Sequence, residues 1–506
     1  MTNDPGQADL ATSQPKTPRR NPLRVIARNT FFVMAAQIVL RVLAFLFNIY
    51  VVNRLGDAGY GQYSVVLAWT GIFAFIGDMG IAQYMSREIA RDREKSTALF
   101  WDVAALRLIL AVVAIVATII GAYWKGYSGE LIIAMAILSS SYFIQAFLTP
   151  LQSIIGGNER LDILAVLAVI GQVIFYALAT ILLVVSPRFI WVVIASVAYL
   201  PVLTAISSWV VARNHMHPPK FKLNPSSWWQ LLRFGMPFAL IQVSLTFAFR
   251  FDTIVLENYY SVETVGWYNA AYTLTRSLLM LSAAFTASLT PTMAREYVTN
   301  PETIRPWYFR TVKFIMLFGL PLAAGGMVLS DKIILRLYGE TFTPAILAFA
   351  ILIWDTPLLM YTSICGNFST AMKQEKKSAW VYGLEGVFNI ILNLLLTPRY
   401  GILAASLITV ATELLGTILF YNIFRRALGP GLGLSSMLRM ALSVGLMSVA
   451  VYLLRDLNVF ILVGIGAVVY IALIWFTRTL TSEDTQVLNA AVSKVRAKIS
   501  RRGAQA

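Results

Sequence analysis

Apolar runs of about twenty residues, separated by short polar turns, recur from residue 30 to residue 477. No other feature constrains the fold as strongly, because one such run matches the roughly 30 Å hydrocarbon core of a bilayer crossed by a helix. In that solvent every backbone N–H and C=O must be paired internally, which favours helices. Six runs lie near 30–53, 59–86, 100–124, 130–153, 162–185 and 189–212. Six more fall near 231–257, 265–291, 308–330, 343–370, 379–397 and 401–424, and a last pair near 436–454 and 457–477. Composition agrees: 58% of the 506 residues are hydrophobic and 13% charged, against about a quarter charged in soluble domains. The expected fold is an all-α polytopic membrane protein with about 14 transmembrane helices.

The net charge of +16 does not point to nucleic acid, because its placement follows the spans. Of 41 Lys and Arg, 30 fall in the N-terminus, the even-to-odd loops and the C-terminal tail, and 7 in the opposite loops. Four (Arg41, Arg107, Arg250, Arg276) fall within spans. Positive residues mark the cytoplasmic side, so both termini are expected there. The first apolar run is too long for a signal-peptide core and reads as a retained span. Near the C-terminus, Leu488, Val492, Val495 and Ile499 share one face among Lys and Arg, the pattern of a basic helix lying on the inner membrane surface.

An internal repeat organises the spans. "NRLGDAGYGQY" (53–63) and "NYYSVETVGWY" (258–268) match at Asn53/Asn258, Gly61/Gly266 and Tyr63/Tyr268, all offset by 205. "MSRE" (85–88) and "MARE" (293–296) match at 208. An offset of six spans gives parallel repeats, and transporters built that way hold substrate between two rocking halves. The expected division is a cytoplasmic N-terminal segment (1–29), an N-lobe (30–212), an inter-lobe loop (213–230) and a C-lobe (231–424). Peripheral helices (425–477) and a basic cytoplasmic tail (478–506) follow. The two six-helix lobes would be pseudo-symmetric around a central cavity.

Polar residues inside spans mark that cavity, since an intramembrane charge is costly and faces a bundle interior or water. Gln37, Arg41 and Asn48 share one face of span 1, and Gln242, Thr246, Arg250 and Thr253 share one face of span 7. The 205 offset pairs Gln37 with Gln242 and Arg41 with Thr246, leaving Arg250 one turn away. Asn269 and Arg276 lie on one face of span 8. Arginines converging from both halves imply an anion site, and a guanidinium fork suits phosphate. The bland reading pairs Arg41 with Asp78, and Arg250 with Asp252 or Glu257, while Arg107 snorkels to the inner surface. Asp78, Asp355, Glu385 and Glu413 are candidates for carrying a proton or binding Na⁺, although structural hydrogen bonding accounts for each as readily.

One cysteine, Cys365, and two histidines, His215 and His217, allow no disulfide and no metal cluster. There is no HExxH, Walker loop or GxSxG, so neither a catalytic centre nor a cofactor is expected.

The start of the chain, with "LGDAGYGQYS" after span 1 and "GDMGI" and "RE" ending span 2, resembles the Wzx-type oligosaccharide flippases. These belong to the multidrug/oligosaccharidyl-lipid/polysaccharide exporter superfamily. The resemblance implies an undecaprenyl-diphosphate-linked oligosaccharide moved from the cytoplasmic to the periplasmic leaflet of a bacterial inner membrane. It also implies polysaccharide polymerase or assembly proteins as partners, and Arg41, Arg250 and Arg276 as the cationic lining. The competing expectation is a multidrug or organic-cation antiporter of the same superfamily, which would favour carboxylates at the cavity and about twelve spans.

Overall fold

A computed structural model describes residues 22–214, 216, 221, 223–278, 304–372, 374–429, 431 and 433–480. Within 22–31 and 240–249, and at a few other helical positions, it describes the backbone alone. The C-terminal basic helix, "MARE", both histidines and the side chains of Gln242 and Thr246 therefore lie outside the described residues.

Among the described residues the chain is helical, without strands. The N-terminal half holds α1 (Pro22–Asp78), α2 (Ile81–Arg91), α3 (Lys95–Lys125), α4 (Gly129–Gly157), α5 (Leu161–Val185) and α6 (Phe189–Arg213). The C-terminal half holds α7 (Trp228–Tyr259), α8 (Val262–Ser277), α9 (Ile304–Val328), α10 (Ser330–Tyr338), α11 (Ala345–Leu352), α12 (Asp355–Ala371) and α13 (Glu375–Leu428). Two more, α14 (Leu434–Leu453) and α15 (Val459–Phe476), close the chain.

Ten of the described helical stretches are long and apolar enough to cross a membrane, and two of these run to 47 and 53 residues. Those two are hairpins. In α1 the backbone leaves helical geometry at Gly56 (φ 68°, ψ −175°), a conformation glycine reaches without a Cβ clash. Asn48 and Tyr60, which a straight helix would hold about 18 Å apart, are hydrogen-bonded at 3.0 Å across the bend. In α13 the break is at Gly401, and Asn389 donates to Thr412 at 3.3 Å across it. Counting each hairpin as two crossings gives twelve among the described residues, and α7 and α8, outside those ten stretches, fall where two further spans are expected.

The run at 343–370 holds one stretch long and apolar enough to cross, Ala345–Ser369, within which a turn at 353–354 separates α11 from α12. The reason lies in "DTP" (355–357), whose carboxylate and proline suit the first turn of a new helix, where orphan N–H groups and a positive dipole end are found.

Apolar cores hold the halves together. One joins Val51, Val52, Tyr60 and Val65 of α1 to Leu256 of α7, Val265 and Tyr268 of α8 and Phe349 of α11. Another packs α2, α3, α4 and α6 around Ile81, Ile89, Val103 and Ile154. Helices α14 and α15 pack on each other and on α9, where the Tyr470 hydroxyl donates to the Leu317 carbonyl at 2.9 Å.

The repeat is visible in how the halves meet. Gly61 and Gly266, equivalent by the 205 offset, lie back to back: a Cβ at Gly61 would strike the Val262 carbonyl, and one at Gly266 the Asp57 carbonyl. Asp57 and Val262 are themselves equivalent by the same offset, so the contact is reciprocal, as a pseudo-two-fold axis requires. At the other end a second pair, Gly80 of the α1–α2 turn and Gly235 of α7, also approach too closely for a Cβ on either. Tyr84 stacks on Phe234 beside them, ring centroids 5.4 Å apart.

Candidate functional site

Between the Gly56 end and the Gly80 end, the halves present different chemistry to each other. On α7, Arg250 is half-buried, with no ion pair to a described residue. On α8, Arg276 sits over the Tyr272 ring at 4.9 Å and faces Asp355 at 3.8 Å. The Tyr272 ring seats the guanidinium, and Asp355 of α12 is its ion-pair partner. On α1, Arg41 is half-buried, with no ion pair or hydrogen bond to a described residue. Counted at 1.5 Å per residue, Tyr63 and Arg250 lie about 10–14 Å in from the Gly56 end, and Arg41 and Arg276 about 21–23 Å in.

The structure replaces the bland pairings. Asp78 pairs with Arg107 rather than Arg41. Arg107 does not snorkel: it is 4% exposed and also donates to Thr149 at 3.3 Å. Glu257 pairs with Lys125 rather than Arg250, and takes a second bond from the Tyr127 hydroxyl at 2.8 Å. Asp252 accepts from the Tyr268 hydroxyl and, at 2.8 Å, from the Thr253 amide. Residue spacing along one helix could not reveal these partners, because each pair except Asp252–Thr253 joins separate segments of the chain.

The remaining expected residues divide. Gln37 is exposed, and Asn48 donates to Tyr60, whose hydroxyl lies 3.4 Å from that of Thr273 on α8. Asn269 is buried within the second half, bonded to Thr253 at 3.3 Å and to the Val265 carbonyl, so it supports α7 against α8 and does not line an open surface. Asp355 opens α12 beside Arg276. Glu413 accepts from Thr362 at 3.0 Å, and Glu385 is 7% exposed against Gly416. Glu385, Asn389 and Asn393 share one buried face of α13, with Thr397 donating to Asn393 at 2.8 Å.

Aromatic residues are what the sequence reading missed. Tyr63, Phe47 and Phe175 of α5 pack against the core that joins α1 to α7 and α8. Phe47 stacks on Tyr176 with ring centroids 4.1 Å apart, and Phe175 connects both to Tyr199 of α6. The one available signal was the Tyr63/Tyr268 repeat match. Among the described residues no group of three or more His, Cys, Asp or Glu is placed to hold a metal.

With this geometry in hand, known proteins offer a comparison. Residues 26–296 match the protein family described as "Polysaccharide biosynthesis protein", and residues 237–395 match the family described as "MatE". The chain is 23% identical over 399 residues to the "Probable low-salt glycan biosynthesis flippase Agl15" of Haloferax volcanii, covering 78% of this chain and 82% of that one. It is 22% identical over 271 residues to the "Teichuronic acid biosynthesis protein TuaB" of Bacillus subtilis, covering 53% and 55%. The fold is similar to that of the "Lipid II flippase MurJ, inward closed conformation", with a TM-score of 0.72 and 16% identity over 88% of this chain and 99% of that one. An inward-facing multidrug resistance MATE transporter is also similar, at a TM-score of 0.61 and 17% identity over 79% and 98%.

Proposed function

We propose that this chain, which belongs to the polysaccharide biosynthesis protein family, is a flippase that carries an undecaprenyl-diphosphate-linked oligosaccharide from the cytoplasmic to the periplasmic leaflet. What supports the reading is that Arg250 on α7 and Arg41 on α1 are half-buried in membrane helices without an ion pair to a described residue, and that Arg276 on α8 lies at the depth of Arg41. Relatives named as flippases support the transport class. The setting is the inner membrane with both termini cytoplasmic, and polymerase or assembly proteins are the partners that receive the product.

The physical task fits the groups. The diphosphate is anionic and the glycan polar, so neither crosses hydrocarbon unaided, while the polyprenyl tail stays in lipid. Guanidinium groups replace the water lost by the phosphates with charge-assisted hydrogen bonds. With the interior negative, moving two negative charges outward releases about 4–5 kcal/mol per 100 mV. A coupled inward cation would add to this. Asp355, Glu385 and Glu413, which lie in one another's electrostatic field and near Arg276, are the groups for it. Asp78 is already neutralised by Arg107.

The test uses purified protein in proteoliposomes with a fluorescent undecaprenyl-diphosphate oligosaccharide. Transport by the unaltered chain, with Arg41→Ala and Arg250→Ala inserted normally but inactive, is the expected result. Wild-type rates in both variants would remove the arginines from the mechanism. Uptake of an organic cation in place of the glycolipid would give the antiporter reading its support.

A further inference from the structure

Inside the second half, α13 doubles back at Gly401 and carries Glu385 on one arm and Glu413 on the other. Counted at 1.5 Å per residue, they stand about 24 Å and 18 Å from the bend, deep in the span. Gly416 sets their separation. A Cβ at Gly416 would fall on the Glu385 carboxylate, so that carboxyl occupies the place a side chain at 416 would fill. Positions 413 and 416 are neighbours on one helix face, about 5–6 Å apart at Cβ. A glycine weakens a helix interior, and here its missing side chain is what admits the carboxyl.

The two carboxylates differ in their partners. Glu413 accepts from the Thr362 hydroxyl at 3.0 Å through Oε2. Glu385 is 7% exposed, and its Oε1 has no hydrogen-bond partner among the described residues. The titratable groups around them are engaged elsewhere. On the Glu385 arm, the Tyr382 hydroxyl donates to the Thr362 carbonyl at 3.3 Å. On α12, Asp355 faces Arg276 of α8, while Tyr361 and Cys365 lie against the Tyr308 hydroxyl at 2.9 and 3.7 Å. On α7, Asp252 accepts from Tyr268, and α11 carries no titratable side chain. A buried carboxylate oxygen with no donor is costly, and two ionised carboxylates one turn apart in an apolar interior repel.

We propose that Glu385 and Glu413 hold one proton between them, carried on Glu385 and donated to Glu413, and that this proton is the cation exchanged for the outgoing glycolipid. The exchange rests on the flippase reading above; the proton site does not. One proton removes the repulsion and gives the unmet oxygen a bond to make. A hard metal cation is held by a shell of several oxygens, whereas among the described residues no third acidic group joins these two. Thr362, which holds Glu413, lies two turns from Asp355, which holds Arg276, on the same face of α12. One helix therefore connects the proton site to an arginine of the proposed phosphate site.

The first readout needs no glycolipid. In the infrared spectrum of the full chain in nanodiscs at neutral pH, a protonated carboxyl shows a C=O stretch that a carboxylate lacks. Glu385→Gln is expected to remove one such band, and Glu385→Gln with Glu413→Gln no further one. Added sodium chloride should remove none, and Gly416→Ala, whose methyl displaces the carboxyl, should shift the band. No band lost in Glu385→Gln, a second lost in the double variant, or loss on adding sodium would overturn the shared proton. The second readout is the equilibrium distribution of glycolipid in proteoliposomes at clamped voltage. One exchanged proton raises the outer-to-inner ratio about tenfold for each pH unit by which the outer side is more acidic. A ratio insensitive to pH in the unaltered chain, or one still pH-dependent in Glu385→Gln, would overturn the exchange. Absence of transport by the unaltered chain would remove the flippase reading, while the infrared band would still decide the proton site.

Discussion

Single ionic residues carry two separable jobs in this chain. Arg107 and Asp78 form a pair whose arginine is 4% exposed, with Thr149 as a further acceptor. Removing one partner strands the other, at a cost of about 3–5 kcal/mol, whereas removing both costs far less. Arg107→Met is therefore expected to lower the thermal unfolding midpoint in detergent sharply, and Asp78→Leu with Arg107→Met to recover most of it. Arg41 and Arg250 have no such pair among the described residues, so their alanine variants should unfold within a few degrees of the unaltered chain while transport is lost. The sequence marked all four residues as polar within apolar runs. It could not say which were paired, because pairing is set by neighbours on other helices: Asp78 meets Arg107 of α3.

At the scale of elements, contacts between the halves act as latches. At the Gly56 end Lys125 of α3 pairs with Glu257 of α7, Asn53 donates to the Leu337 carbonyl at 2.6 Å, and the Trp267 ring N–H donates to Asp57 at 3.1 Å. Glu257→Gln keeps the shape and removes the charge. Spin labels at Tyr123→Cys and Glu340→Cys, with Cys365→Ser as background, should then show longer and broader distances. Charge reversal of both partners should restore the short distance. Gly61→Leu tests the same closure sterically: its side chain would meet the Val262 carbonyl, and overpacking of this kind costs about 1–3 kcal/mol. It should favour separation at this end without affecting contacts at Gly80. The repeat was legible at these elements because Gly61 and Gly266 keep one spacing. The break before Asp355 was not, because the hydropathy of 343–370 runs through it unbroken.

For the whole molecule, close glycine contacts at both ends mean that the halves meet at the Gly56 end and at the Gly80 end together. A flippase working by alternating access must release one end at a time. The latch variants and the glycolipid should therefore be coupled: substrate that holds the halves together restores closure in Glu257→Gln, read as a return of the short spin-label distance. Absence of that shift at saturating glycolipid would uncouple binding from closure.

The amino-acid sequence alone determined the helical class, the positions of the spans and the duplication, because hydrocarbon thickness and backbone pairing leave few other solutions for twenty-residue apolar runs. It also singled out the arginines, since charge stands out against an apolar background. Only the tertiary structure decided which charges are spent on one another, and that aromatic rings of α1, α5 and α6 pack together. Tyrosine and phenylalanine are ordinary residues in a membrane helix, so which rings meet is legible only once the helices are assembled.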